Sequence, residues 1–304
     1  MEVSSPASQP GYRESLTASK NQAARTPARL LSILGREFGP FDFDPCPSDA
    51  GQREFDGLDP DVRWGRRNFV NPPYNDVGPW LRKAVAEAAD FGAASLFLIP
   101  ARTWTAWCHD YVVPFASLVR FLRGVVAFEG YKTPLSTALM LVLIETRAER
   151  GRQLQWQRQE ATLRRPIRSV KPVVETLEVE GLKTVDAASE AFGGQFGFEL
   201  LRVAAGQLPS VPELSTAPRL LLTHGSRQPV AKLLSAASSW IDAVDGLQAL
   251  ALLLPSRTGS KVYHEAALAR ASHLFLVRGQ LRGHPRCRPY LEGCIVVVFG
   301  RLGH

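Results

Sequence analysis

The chain has 304 residues, a formal net charge of +7 and a pI near 9.5, and 45% of its residues are hydrophobic. That length and apolar content suit two ordinary domains with large cores, and no apolar run is long and clean enough to span a membrane. The positive balance favours a polyanionic partner such as nucleic acid.

Residues 1–25, rich in Ser, Ala, Gln and Pro, read as disordered. Arg13, Lys20 and Arg25 stand there beside Glu2 and Glu14, which leaves an organellar transit peptide open, and no secretory signal is visible. Phe41-Asp42-Phe43-Asp44 alternates aromatic and acidic residues and reads as a strand, closed by the turn Pro45-Cys46-Pro47-Ser48. An acidic residue at such a strand end sits where cofactors bind in α/β sheets. After Asp56-Gly57-Leu58 and Trp64, the apolar end of a strand, Asn68-Phe69-Val70, leads into Asn71-Pro72-Pro73-Tyr74.

That last string suits chemistry on a planar nitrogen. Asn71 offers a side-chain carbonyl to an exocyclic amine. The absence of a proline N–H leaves the carbonyl before it open to a ligand. Pro72 and Pro73 stiffen the loop, and the Tyr74 ring can stack on a base. Two acceptors aimed at an adenine amine would favour its pyramidal, reactive geometry. The plainer alternative is a Pro-Pro turn with an aromatic shoulder. Downstream, Trp80, Leu81, Ala84, Val85 and Ala88 recur at helical spacing over residues 80–90, with Arg82, Lys83 and Glu87 opposite. Residues 94–99 form an apolar strand closed by Pro100-Ala101-Arg102-Thr103-Trp104, and residues 139–144 form another. Strand, helix and strand with motifs at strand ends describe a parallel α/β sheet.

Residues 26–145 resemble the phage-type, Dam-like DNA N6-adenine methyltransferase family. The matching pieces occur in the family's order: Thr26-Pro27, Phe43-Asp44-Pro45, Asp56-Gly57-Leu58, Asn71-Pro72-Pro73-Tyr74, Trp80 with Lys83, Thr103 to Trp107, Arg123-Gly124 with Phe128, and Pro134-Leu135. The resemblance implies S-adenosylmethionine as methyl donor and adenine in DNA as acceptor. It implies Asn71, Pro72, Pro73 and Tyr74 as catalytic residues. It implies a cofactor pocket lined by Thr26, Pro27, Asp44, Pro45, Cys46, Asp56, Gly57 and Leu58. The chain departs from methyltransferases at large in having no Gly-x-Gly-x-Gly loop.

An internal repeat appears when the chain is slid by 155 positions. Pro100 then meets Pro255, Arg102 meets Arg257, Thr103 meets Thr258, His109 meets His264, Arg123-Gly124 meets Arg278-Gly279, and Pro134 meets Pro289. Gly39, Phe41 and Phe43 meet Gly194, Phe196 and Phe198 on the same offset. Asp44-Pro45 faces Glu199-Leu200, and Asn71 faces Ser226, or, with a small gap, the Thr223-His224-Gly225 string. Either way the second copy lacks the Asn-Pro-Pro-Tyr clamp. A histidine kept in both copies favours a structural role for His109. The expected fold is therefore α/β, with tandem Rossmann-like methyltransferase domains related by a pseudo-twofold internal duplication. Residues 26–146 would form the catalytic domain and 176–304 a degenerate one, joined by a basic linker at 147–175.

Within that linker Arg158, Arg164, Arg165 and Arg168 surround Trp156 and several glutamines. Such a segment suits phosphate contact and base stacking, or is a solvated, partly helical tether. Arg102 and Arg123 join these four as candidate nucleic-acid contacts. Residues 207–218, with three prolines, read as a loop. Cys46, Cys108, Cys287 and Cys294 show no metal-finger spacing, which fits an intracellular, reducing compartment and no metal. Cys46 is a reactive thiol of the cofactor loop or, more simply, a small packed residue. The reading is an adenine-N6 methyltransferase with DNA as partner, RNA remaining open. The second copy would widen the nucleic-acid surface or hold the first one rigid, as an intramolecular pseudo-dimer. The alternatives are an inactive nucleic-acid-binding or scaffold subunit of a larger assembly, or an enzyme acting on RNA adenine or protein glutamine.

Overall fold

The computed structural model describes residues 25–47, 55–130, 137–146, 155–160, 166–169, 173–177, 184–203, 207–224, 230–256, 258–282 and 293–302. Helix α1 (Ala28–Phe38) begins after Pro27, whose ψ of 131° is extended, and ends at Gly39, whose φ of 91° few other residues adopt. Strand β1 (Arg67–Val70) is followed by α2 (Val77–Phe91). This helix starts three residues before its apolar periodicity because Pro79 falls in the first turn, where a missing N–H costs nothing. Strands β2 (Ala94–Pro100) and β4 (Leu139–Ile144) are the two expected, and β3 (Ala116–Arg123), which the sequence reading does not single out, joins them. Residues 41–44, expected as a strand, make one parallel bridge, Phe43 to Asn68, before the chain turns away at Asp44.

The described residues of the expected linker are strands, a correction to the sequence reading. Strand β5 (Gln155–Glu160) pairs parallel with β3, and β6 (Pro166–Ser169) pairs antiparallel with β5. Strand β7 (Val173–Leu177) joins the other sheet beside β11. The second half then runs α3 (Val185–Phe196), β8 (Glu199–Val203), β9 (Arg219–His224), α4 (Val230–Ala243), β10 (Ala249–Pro255), β11 (His273–Val277) and β12 (Cys294–Gly300). Residues 207–218, read as a loop, contain one short helical turn, Val211–Leu214, with a Ser210–Glu213 capping box. Both sheets have six strands, in the orders β1-β2-β4-β3-β5-β6 and β8-β9-β10-β12-β11-β7, and mixed direction, which corrects the parallel sheet expected: β4 and β12 run antiparallel to both of their neighbours.

Alternation along the strands sends successive side chains to opposite faces. On the first sheet Phe69, Leu96, Leu98 and Leu141 face α1, while Val70, Phe97, Ile99 and Val142 face α2. On the second sheet Leu221, Ala251 and Leu253 face α3, and Leu222, Leu252 and Leu254 face α4. The inner faces of both sheets, with α2 and α4, belong to one continuous buried cluster. The molecule is thus an α/β fold whose largest core is shared by both halves. Among the described residues, no helix is long and apolar enough to cross a membrane.

Contacts between the halves come in swapped pairs. The Gly124 N–H donates to the Gly259 carbonyl at 3.2 Å, and the Gly279 N–H to the Trp104 carbonyl at 2.7 Å. Arg123 pairs with Glu265 at 3.5 Å, and Arg278 with Asp110 at 2.9 Å. A Cβ on Gly259 would lie 2.9 Å from the Ala138 Cβ, and one on Gly293 would lie 2.6 Å from the Trp104 Cβ. In each pair the two partners exchange roles at the 155-residue spacing. The π-helical turns Cys108–Val112 and Tyr263–Ala267, each running into a short α-turn, obey the same spacing.

Phe121 is 1% exposed and meets Tyr263 of the other half edge-on, with ring centroids 6.2 Å apart. Phe121→Ala is expected to cost about 3–5 kcal/mol. Because the core is shared, urea unfolding followed by circular dichroism and by tryptophan fluorescence should give one coincident transition before and after the change.

Candidate active site

Three neighbouring chain segments run parallel and release their loops at the same sheet rim. Phe43 bridges Asn68 in parallel, and β1 pairs with β2 in parallel. Asp44, Asn71 and Arg102 therefore follow strand ends that lie side by side. Carboxyl ends of parallel strands are where α/β sheets place ligands, because the loops there are free to diverge.

The Asn71-Pro72-Pro73-Tyr74 loop is held from both sides. Pro72 is buried and Asn71 and Pro73 are half-buried. The Asp76 N–H closes a turn on the Pro73 carbonyl at 3.0 Å. Arg102 Nη1 donates to the Tyr74 carbonyl at 3.0 Å. The Tyr74 ring, expected to stack on a base, packs edge-on against Phe128 with centroids 6.3 Å apart, at the margin of the α1 core. Just before the loop, buried Asn68 donates from Nδ2 to the carbonyls of Gly65 and Ala94 and to Ser95 Oγ. This lashes the start of β1 to the start of β2, and only a polar residue inside an otherwise apolar strand hinted at it.

The two expected cofactor loops meet. Asp44 Oδ1 accepts from the Cys46 N–H at 2.9 Å, and Asp56 Oδ1 from the Leu58 N–H at 3.0 Å, so each carboxylate braces its own turn. Gly57 is buried with no room for a side chain: a Cβ there would lie 1.9 Å from the Pro45 carbonyl oxygen and 3.0 Å from Trp80. Trp64 Nε1 donates to the Gly57 carbonyl at 2.8 Å. Lys83 donates to the carbonyls of Asp59 and Val62, which gives it a loop-tying role. The rings of Phe43 and Phe55 stack at 5.3 Å beside these loops. Thr26 and Pro27 sit elsewhere on the rim. Their neighbours Arg25 and Ala28 bond to Glu129, adjoining the Phe128 ring that meets Tyr74.

Among the described residues, the candidate nucleic-acid contacts do not gather into one patch. Arg102 clamps the Tyr74 carbonyl, and Arg123 is paired with Glu265. Arg158 and Arg168 stand on β5 and β6, at the sheet edge away from β1. Four strand spacings separate β5 from β1, roughly 19 Å. Arg164, Arg165, Pro134 and Leu135 lie outside the described residues. Cys46 is buried, and burial pushes the Cys108 thiol up to about 12, so it is no nucleophile near neutral pH. Among the described residues, no group of His, Cys, Asp and Glu could hold a metal ion.

The second half differs at the matching places. The residue pairs Arg67–Ala94 and Arg219–Ala249 hold the same position in their sheets. Both arginines donate from Nη1 to the last carbonyl of a helix, Phe38 at 2.7 Å and Phe196 at 3.3 Å. Asn71 is thus matched by Thr223, three residues before the Ser226 of the fixed offset. Glu199 pairs with Leu220 as Phe43 does with Asn68, which sets Leu200, and not Glu199, opposite Asp44. The helix-ending Gly39 matches Gly197, with φ of 70°, whereas Gly194 lies inside α3.

Residues 14–152 match the family of DNA N-6-adenine-methyltransferase (Dam). The match covers the segment that carries the motif loops and ends before the second half. No curated protein and no solved structure matches the chain.

Gly57→Ala forces a methyl group into the Pro45 carbonyl and is expected to cost about 1–3 kcal/mol. It should also shift the Asp44 loop, seen as altered backbone amide resonances for Asp44, Cys46 and residues 56–58 while those of α4 stay in place.

Proposed function

We propose that the chain is an S-adenosylmethionine-dependent N6-adenine methyltransferase acting on DNA. Its first half would be catalytic and its second half a duplicated copy that no longer methylates. The carrying observation is that Asp44 and Asn71 leave adjacent parallel strands at their carboxyl ends, with the Asp56-Gly57-Leu58 loop locked onto Pro45 beside them.

The residues present fit the methyl donor. Asp44 and Asp56 are exposed carboxylates, the right acceptors for ribose or amino groups, and the Phe43–Phe55 stack supplies an apolar wall. Bound S-adenosylmethionine supplies a methyl group on a positively charged sulfur. Asn71 Oδ1 and the Pro72 carbonyl would accept from the adenine amine and favour the geometry in which its lone pair is available. The twin prolines keep that loop from paying for order on binding. An adenine must leave the duplex to reach such a rim. Tyr74 would turn from Phe128 to meet it. The loss of an acceptor at Leu200 and of the amide at Thr223 supports inactivity of the second half. The swapped contact pairs support an origin by duplication of a symmetric dimer, since an isologous interface repeats each contact with partners exchanged.

Asn71→Ala is expected to lower methyl transfer by about 100- to 1,000-fold, the scale for removing one preorganised polar contact to developing charge. Donor affinity should stay within a few-fold. Transfer of labelled methyl to adenine in DNA, with calorimetry for the donor, tests both. Wild-type activity in this variant would refute the role given to Asn71.

A further inference from the structure

We propose that the second half of the chain is a positioning element for the site of the first. It would hold the loop at residues 101–107, and Arg102 on that loop would in turn hold the loop at residues 71–76.

Three contacts from the second half converge on two adjacent residues. The Gly279 N–H donates to the Trp104 carbonyl at 2.7 Å. Gly293, with φ of 68°, is packed so closely on Trp104 that any Cβ would lie 2.6 Å from its Cβ and Cγ. Thr103, fully buried, has Oγ1 3.4 Å from Ser256 Oγ. The loop is also tied internally, since Thr105 Oγ1 donates to the Arg102 carbonyl at 2.7 Å and its N–H to the same carbonyl at 3.2 Å. From this fixed base the Arg102 side chain crosses to the neighbouring strand end and donates to Tyr74. The path from Gly293 to the Asn71 loop thus runs through packed backbone and one guanidinium. It explains why the half without a site keeps Gly279 and Gly293: their lack of a side chain is needed by the other half.

Arg102 touches no reacting atom in this scheme, so it is a positioning residue. A displacement of about 1 Å at a reacting centre can cost about 100-fold in rate. The kinetic arm of the test rests on the methyltransferase reading, whereas the exchange arm does not.

The full-length protein is used throughout. Amide hydrogen exchange is followed at Thr105 and Asp76, whose N–H groups bond to Arg102 and Pro73. Arg102→Met should speed exchange at Asp76 by about 10-fold and lower kcat about 100-fold, with donor affinity within a few-fold. Arg102→Lys, which keeps a cationic donor, should recover most of both. In the second half, Gly293→Ala should speed exchange at Thr105 and Asp76 alike. Gly246→Ala is the control, because Gly246 has the same positive φ (83°) with no atom within 4 Å of an added Cβ. Ser256→Ala is the milder variant should Gly293→Ala fail to fold. The proposal fails if Arg102→Met leaves Asp76 exchange unchanged, or if Gly293→Ala or Ser256→Ala moves neither amide more than the control does. Absence of methyl transfer by the wild type would refute the functional reading and leave the exchange result to decide this one.

Discussion

The layer shared by the two halves is the constraint on which the rest depends. Each sheet has an inner face of Leu, Ile, Val and Phe side chains that one helix cannot cover. The inner faces, with α2 and α4, are therefore buried in a single cluster shared by the two halves. Close approach at the rim of that layer requires glycine at positions 259 and 293, where the other half occupies the space of a side chain. Once those contacts form, the ends of β2 and β10 are fixed relative to each other. The loops that follow them are fixed as well.

The rim at which the site sits inherits this order. Asp44, Asn71 and Arg102 depart from consecutive parallel segments, so their spacing is set by the sheet and not by the loops. Loop-level devices then refine it. Asn68 ties β1 to β2, Gly57 seats against Pro45, and Glu37 forms a two-pronged pair with Arg120, which is 2% exposed, and so ties the end of α1 to β3. A guanidinium so deeply buried is costly without its carboxylate, so α1 cannot slide along the sheet without losing that pair. Thr26 and Pro27, at the start of α1, are held in turn.

Much of this was legible in the residues. The motif loops, α2, β2 and β4 follow from periodicity and from Pro and Gly punctuation. The 155-residue spacing holds from β2 to β4 and their counterparts, because the elements there build the shared layer and tolerate no change in length. Before β2 the spacing drifts. The pair Gly39 and Gly197 is 158 residues apart and the pair Arg67 and Arg219 is 152 apart. The segments between them differ in length in the two halves, which only strand register reveals. The linker was illegible for another reason. Gln155 to Glu160 alternates polar with polar or aromatic residues, so no hydrophobic period marks a strand, and its pairing with β3 depends on backbone hydrogen bonds that composition does not record. The clamp of Arg102 on Tyr74 joins a side chain to a carbonyl 28 residues away, and no local pattern announces such a bond.

The differences between the two halves follow from the same geometry. Site residues such as Asp44 and Asn71 lie on loops beyond the strand ends, and a Leu or Thr in their place leaves the sheet pairing intact. Interface residues are bound from both directions. Gly279 gives a hydrogen bond to the first half, Gly293 gives it space, and Arg278 gives it an ion pair with Asp110. A substitution at any of them is felt in the half that carries the motif loops. The loops of the second half are thus free to differ in sequence, whereas its contact surface is tied to the strand ends of the first half.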